Sequence, residues 1–478
     1  MSLRAQSIAG VRWLGAAHVL RSAISGVTLL VLARLLSPAD FGVQAMAIVV
    51  VGLGLIVAEA GVRPALIQRL DPTPILLSSA FWTALAAGSA VMIIILVAAP
   101  AVARFYQEPE VTPVLRVLSL LFPISAARTV PLAILEKRLA FRRISLLEIC
   151  STVGGSAAAV VAAVVGLGVW SLVIQTITGS LALTSLLLLF GGWTPQASFH
   201  RRALRTIAFY ALNHAGARLV EYLSRNVHDL VIGRSLGAPS LGQFTTAYQL
   251  MAFPVLAVSR PVARIVFPAL ARLQDDDERM ARAFRDFAAA VATITLPLMF
   301  GLWVVADAFV AVALGPRWEP VKGLIRILAP IGALQSVTVL ADTVLLAKGR
   351  AELLMRWNLI QSLCVLGGIL IGLHWGLVGV AVAYALISVT LTYPWLRLAA
   401  GILHVPLTPI VHAVARPLLA TIIMVAIMSG ARLYVGAGST PLRSLVLVAV
   451  LGAVSYLAMI AWLGERQFRV LARELLSR

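Results

Sequence analysis

Apolar residues along this chain do not alternate with polar ones; they run. Stretches such as VMIIILVAA and LALTSLLLL are continuous, a pattern that favours helices over the alternating strands of an outer-membrane barrel. The runs are about 20 residues long, enough to cross a hydrocarbon core roughly 30 Å thick. Fourteen spans are predicted, at 11–34, 41–62, 76–99, 112–133, 145–165, 168–190, 207–233, 242–267, 286–312, 322–346, 353–373, 376–399, 409–431 and 442–463. The expected fold is all-α, a polytopic membrane protein.

Composition agrees: 60% of the 478 residues are hydrophobic and 12% are charged, where soluble domains carry about 25% charged residues. The net charge of +19 would suggest nucleic acid in a soluble protein, but here the cations collect in alternate loops. With the N-terminus inside, 22 Lys and Arg fall on the inner side and 7 on the outer. The positive-inside rule then places both termini in the cytoplasm and leaves nucleic acid no part in explaining the charge. Arg21 interrupts the first apolar segment and no small-residue cleavage site follows it, so that segment is expected to stay as a helix.

Cys150 and Cys364 both lie in predicted helices, so neither a disulfide framework nor a zinc site is expected. Asp275-Asp276-Asp277-Glu278 reads as a helix start, where carboxylates meet the positive end of the dipole, rather than as a metal cluster. The glycines at 368, 372 and 376 are spaced for close helix packing. No P-loop is present, so ATP is not the expected energy source.

The chain also repeats itself. LVLARLLSPADFGVQA at 30–45 returns 200 residues later as LVIGRSLGAPSLGQFT, and Pro64-Ala65-Leu66 returns as Pro268-Ala269-Leu270. Six spans per repeat make the halves parallel, a plan in which transporters hold substrate between the halves. The expected domains are an N-lobe at 1–199 with spans 1–6 and a C-lobe at 200–404 with spans 7–12. Residues 405–478 add spans 13 and 14 and a cytoplasmic tail.

The segments ARLLSPADFGVQAMA, EAGVRPALIQR, VPLAILEKRLAFRR, GLGVWSLV, IGRSLGAPSLGQFTTAYQLM, FPALARLQDDDERM, LPLMFGL and LGPRW together resemble the Wzx-type oligosaccharide flippases. These form the polysaccharide-transporter branch of the multidrug/oligosaccharidyl-lipid/polysaccharide flippase superfamily. The resemblance covers most of the chain. It implies two six-helix lobes around a central cavity that opens alternately to either side. It also implies a substrate, an oligosaccharide on a polyprenyl pyrophosphate, in the bacterial inner membrane.

A charge at the bilayer centre costs on the order of 2.5 to 3.5 kcal/mol on insertion scales, so clustered charges imply a wet or paired setting. Helix seven carries Arg218, Glu221, Arg225, His228 and Asp229, mostly at helical spacing on one face. The equivalent stripe on helix one is His18, Arg21, Ser25 and Thr28. Guanidinium groups suit a pyrophosphate through charge-assisted, bidentate hydrogen bonds, which makes Arg21, Arg218 and Arg225 candidates for the head group. His18, Ser25, Thr28 and Asn213 are candidates to line the cavity with them. Glu221, His228, Asp229 and Asp342 are the candidates for gating or for coupling to a proton or a sodium ion, and Arg260 and Arg264 for the cytoplasmic mouth. The plainer reading of the helix-seven cluster is a set of salt bridges that holds one conformation closed. Glu59, Arg116, Arg128, Glu148, Asp307 and Arg326 look like single, scattered charges serving packing or snorkelling.

The expected function is therefore a flippase for lipid-linked repeat units of O-antigen, capsule or exopolysaccharide, acting as a monomer beside polymerase and export machinery, with no cofactor. The alternatives are a flippase for the peptidoglycan precursor lipid II, or a polytopic glycosyltransferase or polymerase on the same carrier. The enzyme reading lacks a catalytic platform, since every outer loop is about 12 residues or shorter. A hydrophobic-cation antiporter fits poorly with an arginine-lined path.

Overall fold

A computed structural model describes residues 3–59, 61–69, 72–435 and 440–463, with the side chains of most of 3–16 and of 201–225 outside that description. The described residues form helices and connecting turns, with no strand. Among the described residues twelve stretches are long and apolar enough to cross a membrane, and two of them, Asn226–Ala271 and Ala351–Ile402, are 46 and 52 residues long, enough for two crossings each. That matches the expected count of about fourteen. The chain is a multi-pass membrane protein.

It divides into two compact units, 1–242 and 243–478. The first holds α1 (Leu3–Leu35), α2 (Pro38–Glu59), α3 (Val62–Gln68), α4 (Pro74–Tyr106), α5 (Val111–Leu118), α6 (Leu121–Lys137), α7 (Phe141–Val164), α8 (Val169–Phe190) and most of α9 (Arg201–Pro254). In it α1 packs on α7, α7 on α8, and α4 on α2 and α6. The α7–α8 contact closes at small residues: a methyl group added at Gly155 would stand 2.8 Å from the Gln175 carbonyl oxygen.

The second unit continues through a π-helical turn, Val255–Ser259, into α10 (Arg260–Ala271). It then holds α11 (Asp277–Phe309), α12 (Val321–Ala347), α13 (Ala351–Gly372), α14 (Gly376–Ile402), α15 (Thr408–Val435) and α16 (Pro441–Trp462). The π turn precedes Pro261, which has no N–H for the carbonyl four residues back, so the helix widens there. Helix α11 is the hub: α12, α15 and α16 all pack on it. Val304, Val305, Met424, Met428, Val448 and Tyr456 form the shared apolar core that attaches spans 13 and 14.

Several expectations meet their local physics here. Helix α11 starts at Asp277, with the Asp276 carboxylate accepting the Arg279 N–H at 2.9 Å. The acidic run is thus a helix start. Gly368 and Gly372 do lie at a tight α13–α14 contact, where added methyls would meet Ile387 and the Gly379 carbonyl. Gly376 does not: it forms the turn between these helices, at φ +67°, with open space beside it. Span 4 is two helices, α5 and α6, instead of one.

The duplicated line has a structural meaning inside the first unit. In copy one, Leu36-Ser37-Pro38 ends α1 and opens α2. In copy two the backbone leaves helical geometry at Gly237, whose φ of 79° and ψ of 176° suit glycine alone, so that α9 is two helices joined across a kink there. The two copies then meet. A methyl added at Gly42 would stand 1.8 Å from the Ala238 carbonyl oxygen, and one added at Gly242 would stand 1.8 Å from the Pro38 oxygen. Position 42 faces 238 and position 242 faces 38, the reciprocity of a local two-fold axis. Each glycine exposes a Cα–H to the opposing carbonyl, and no larger residue fits either place.

Candidate functional site

The first unit contains most of the candidate residues. On α1, Arg21 projects towards α7, where its Nη1 donates to Glu148 Oε2 at 2.6 Å. The two side chains are 32% and 26% exposed, so the pair is neither sealed nor fully wet. Arg21 Nε is buried and lacks a hydrogen-bond partner among the described residues, which leaves this guanidinium with donor capacity beyond Glu148. His18, one turn earlier, is half-buried, and Ser25 is exposed. Thr28 is buried and gives its hydroxyl proton to the Ile24 carbonyl at 2.8 Å, so its hydrogen atom is committed to its own helix.

Glu148 and Arg128 are not isolated. Arg128 lies within electrostatic range of Glu59, Arg63 and Glu148, and Arg63 makes a two-pronged bond to Glu136 at 2.9 and 2.6 Å. Charges that sit singly in the sequence thus form a connected series through the unit, from α1 across α7 and α6 to α3. Arg142 of α7 lies 5.2 Å above the Trp13 ring, a cation–π contact that ties α7 to the start of α1.

On α9, Arg218 is exposed, while the side chains of Asn213, Glu221 and Arg225 lie outside the described residues. Between them stands Tyr222, which the charge pattern did not single out. Its hydroxyl lies 3.2 and 3.1 Å from the Ile48 and Val49 carbonyl oxygens of α2 and donates its one proton to that pair. A methyl at Gly52 would come within 2.0 Å of that hydroxyl, so glycine there is what lets the ring lie on α2. The signal was present as an aromatic facing a helix glycine, but it carries no charge and shares no equivalent in the repeat, where Ser22 occupies the matching place.

The lower end of the stripe is a buried titratable group. His228 Nε2 lies 3.4 Å from Asp229 Oδ1, close enough to attract but not aligned to hydrogen-bond, and Asp229 Oδ1 has no donor among the described residues. The Tyr106 hydroxyl, at the end of α4, is also buried without a hydrogen-bond partner among the described residues. Asp229 lies within electrostatic range of Tyr106 and Tyr222.

The remaining candidates belong to the second unit. Arg260 and Arg264 are exposed on α10, and Asp342 is half-buried on α12. The hydroxyls near Asp342 in sequence are occupied: Ser336 and Thr295 share a hydrogen bond at 2.6 Å and Thr338 donates to Gln335. Asp307 and Arg326, read from the sequence as scattered charges, are bonded at 2.6 Å.

Against this geometry, a family model described as polysaccharide biosynthesis protein matches residues 31–323, more than half of the chain. The chain belongs to this family. It is 30% identical to the teichuronic acid biosynthesis protein TuaB of Bacillus subtilis, covering 79% of either chain. It is 27% identical to the lipopolysaccharide biosynthesis protein WzxC of Escherichia coli, covering 81% of this chain and 80% of that one. With the succinoglycan biosynthesis transport protein ExoT of Rhizobium meliloti the identity is 28%, over 91% and 88%. Among solved structures, the lipid II flippase MurJ in an inward closed conformation superposes with a TM-score of 0.74 over 99% of both chains at 13% identity. An inward-facing multidrug transporter of the MATE family superposes at 0.62, covering 82% and 94% at 15% identity. The fold of this polysaccharide biosynthesis family member is therefore the one shared by MurJ and the MATE transporter.

Proposed function

We propose that the protein moves polyprenyl-pyrophosphate-linked oligosaccharide repeat units from the inner to the outer leaflet of the bacterial inner membrane, with both termini cytoplasmic, for a surface polysaccharide. One observation carries this reading. A chain that belongs to a polysaccharide biosynthesis family takes, along its whole length, the frame of a lipid-carrier flippase. The three to one excess of cations on the assigned inner side supports the orientation.

In this reading Arg21 meets the pyrophosphate. Glu148 holds one edge of the guanidinium and so fixes its plane, leaving the rest free for a bidentate contact. Arg218 and Arg225 supply charge from the other repeat. Asp229 is the proton-coupling group: protonated, it no longer attracts His228, which lets α9 move against α4 and α2. The reciprocal Gly42 and Gly242 contact is the closed outer end.

Deleting the gene is expected to leave the lipid-linked repeat unit made but held on the cytoplasmic leaflet, with little surface polysaccharide. Complementation with Arg21→Ala is expected to restore protein level but not export, with a loss of roughly tenfold or more for a charge-assisted contact. Glu148→Gln is expected to fall between this variant and the wild type. Normal polysaccharide in the deletion strain would refute the assignment. The lipid II alternative would instead show as loss of peptidoglycan precursor at the outer face.

A further inference from the structure

At the end of the second unit remote from Asp277 lies a cavity of about 330 Å³. The residues that define it are Val304, Asp307 and Ala308 of α11, Arg432 of α15, and Ser444 and Val448 of α16. Its lining charges, Asp307 and Arg432, are joined by a third: Arg326, beside the lining, and Arg432 both bond the same oxygen of Asp307, Oδ2, and Arg432 Nη1 also donates to the Val304 carbonyl at 3.1 Å. Two guanidinium groups against one carboxylate leave one net positive charge among the described residues. The other carboxylate at this end among the described residues, Glu319, is bound to Lys322 at 2.6 Å, which holds it below the usual carboxylate range.

Helix α16 starts at the rim, with Pro441 lining the cavity and no acidic residue in its first turn, so its positive dipole end adds to the field. The π-helical turn Val310–Leu314 follows α11 here, and Ala311 also lines the cavity. Apart from Ser444 the remaining lining residues are apolar, and their helices carry exposed hydrophobic side chains nearby in sequence, Leu433, Tyr434, Leu442 and Val446. A small soluble anion would gain nothing from those walls. A molecule with a phosphate head and an acyl chain matches both parts.

We propose that this cavity seats the headgroup of an anionic phospholipid, with its phosphodiester on Arg432, Arg326 adding positive charge through the shared Asp307, and its chain along α15 and α16. The lipid bridges α15 and α16 to the end of α11. In the topology proposed above, it comes from the outer leaflet. The site does not depend on what the protein transports.

The test uses the full-length protein in a neutral detergent and follows thermal unfolding while phosphatidylglycerol, phosphatidylcholine or inorganic phosphate is added. Phosphatidylglycerol is expected to stabilise saturably and at lower concentration than the other two. Ala308→Phe, which fills the cavity and leaves the ion pairs in place, and Arg432→Gln are each expected to raise the half-saturating phosphatidylglycerol concentration about five- to tenfold. Should Arg432→Gln fail to fold, Ala308→Phe decides the matter alone. An unchanged phosphatidylglycerol response in Ala308→Phe overturns the site, as does an equal response to phosphatidylcholine. Inorganic phosphate acting as strongly as phosphatidylglycerol overturns the lipid assignment.

Discussion

The two copies of the repeated turn follow the same path by different chemistry. In the first, Ser37 and Asp40 bind each other: the Asp40 carboxylate accepts from the Ser37 N–H at 2.8 Å and from its hydroxyl at 2.6 Å, and Ser37 Oγ accepts from the Asp40 N–H at 3.3 Å. Helix α1 stops, and α2 starts with a capped N-terminus. In the second, the place of Ser37 is taken by Gly237, and a positive φ that only glycine adopts readily turns the chain between the two helices joined in α9. What the copies share is the glycine five residues later, where each backbone meets the other copy. Side-chain chemistry at the turn has drifted, while the residue that sets backbone approach has not.

The largest effect is expected at the shared glycines. Gly42→Val and Gly242→Val each place a branched side chain where a single methyl already stands 1.8 Å from a carbonyl oxygen. Overpacking costs about 1 to 3 kcal/mol where a core can yield, and two facing backbones yield less than side chains do. Export is expected to fall at least tenfold in either variant. Export at the parent level in either variant would show that the two backbones do not meet there.

Gly237→Ala comes next. Its backbone lies in a region reserved for glycine, so alanine is expected to cost about 1 to 3 kcal/mol, read as a lower unfolding temperature of the purified protein. Ser37→Ala and Asp40→Ala are expected to cost about 1 kcal/mol each. Because they share the same bonds, the double variant should be little worse than either single one. Ser37→Gly should be milder than Ser37→Ala if the first turn can take the second turn's solution. A double variant with fully additive losses would mean that the cap works through other partners.

The same contrast explains what was legible before the structure. Span boundaries were, because apolar runs record the bilayer thickness directly: 168–190 against Val169–Phe190, and 442–463 against Pro441–Trp462. The number of spans followed for the same reason. The α5–α6 division was hidden, since a short break between two apolar segments leaves the hydropathy unchanged. Pairings were hidden as well. Arg21 was legible as a charge out of place, but Glu148 lies 127 residues away, and no local pattern links the two. Tyr222 was missed because its partner is a glycine, whose contribution is room rather than chemistry. The reciprocal glycine contact was written in the repeat, yet a repeat shows that two segments are alike and not that they touch.

The central claim is that this bundle carries a pyrophosphate head group across the bilayer by way of Arg21. The most direct measurement places the purified protein in vesicles with a polyprenyl-pyrophosphate-linked oligosaccharide loaded on one leaflet, and follows the sugar's appearance on the other with an impermeant glycosidase. Protein-dependent appearance, abolished by Arg21→Ala and retained by a variant of the lipid cavity such as Ala308→Phe, is the predicted result. Appearance at the same rate in protein-free vesicles, or in the Arg21→Ala protein, would contradict it.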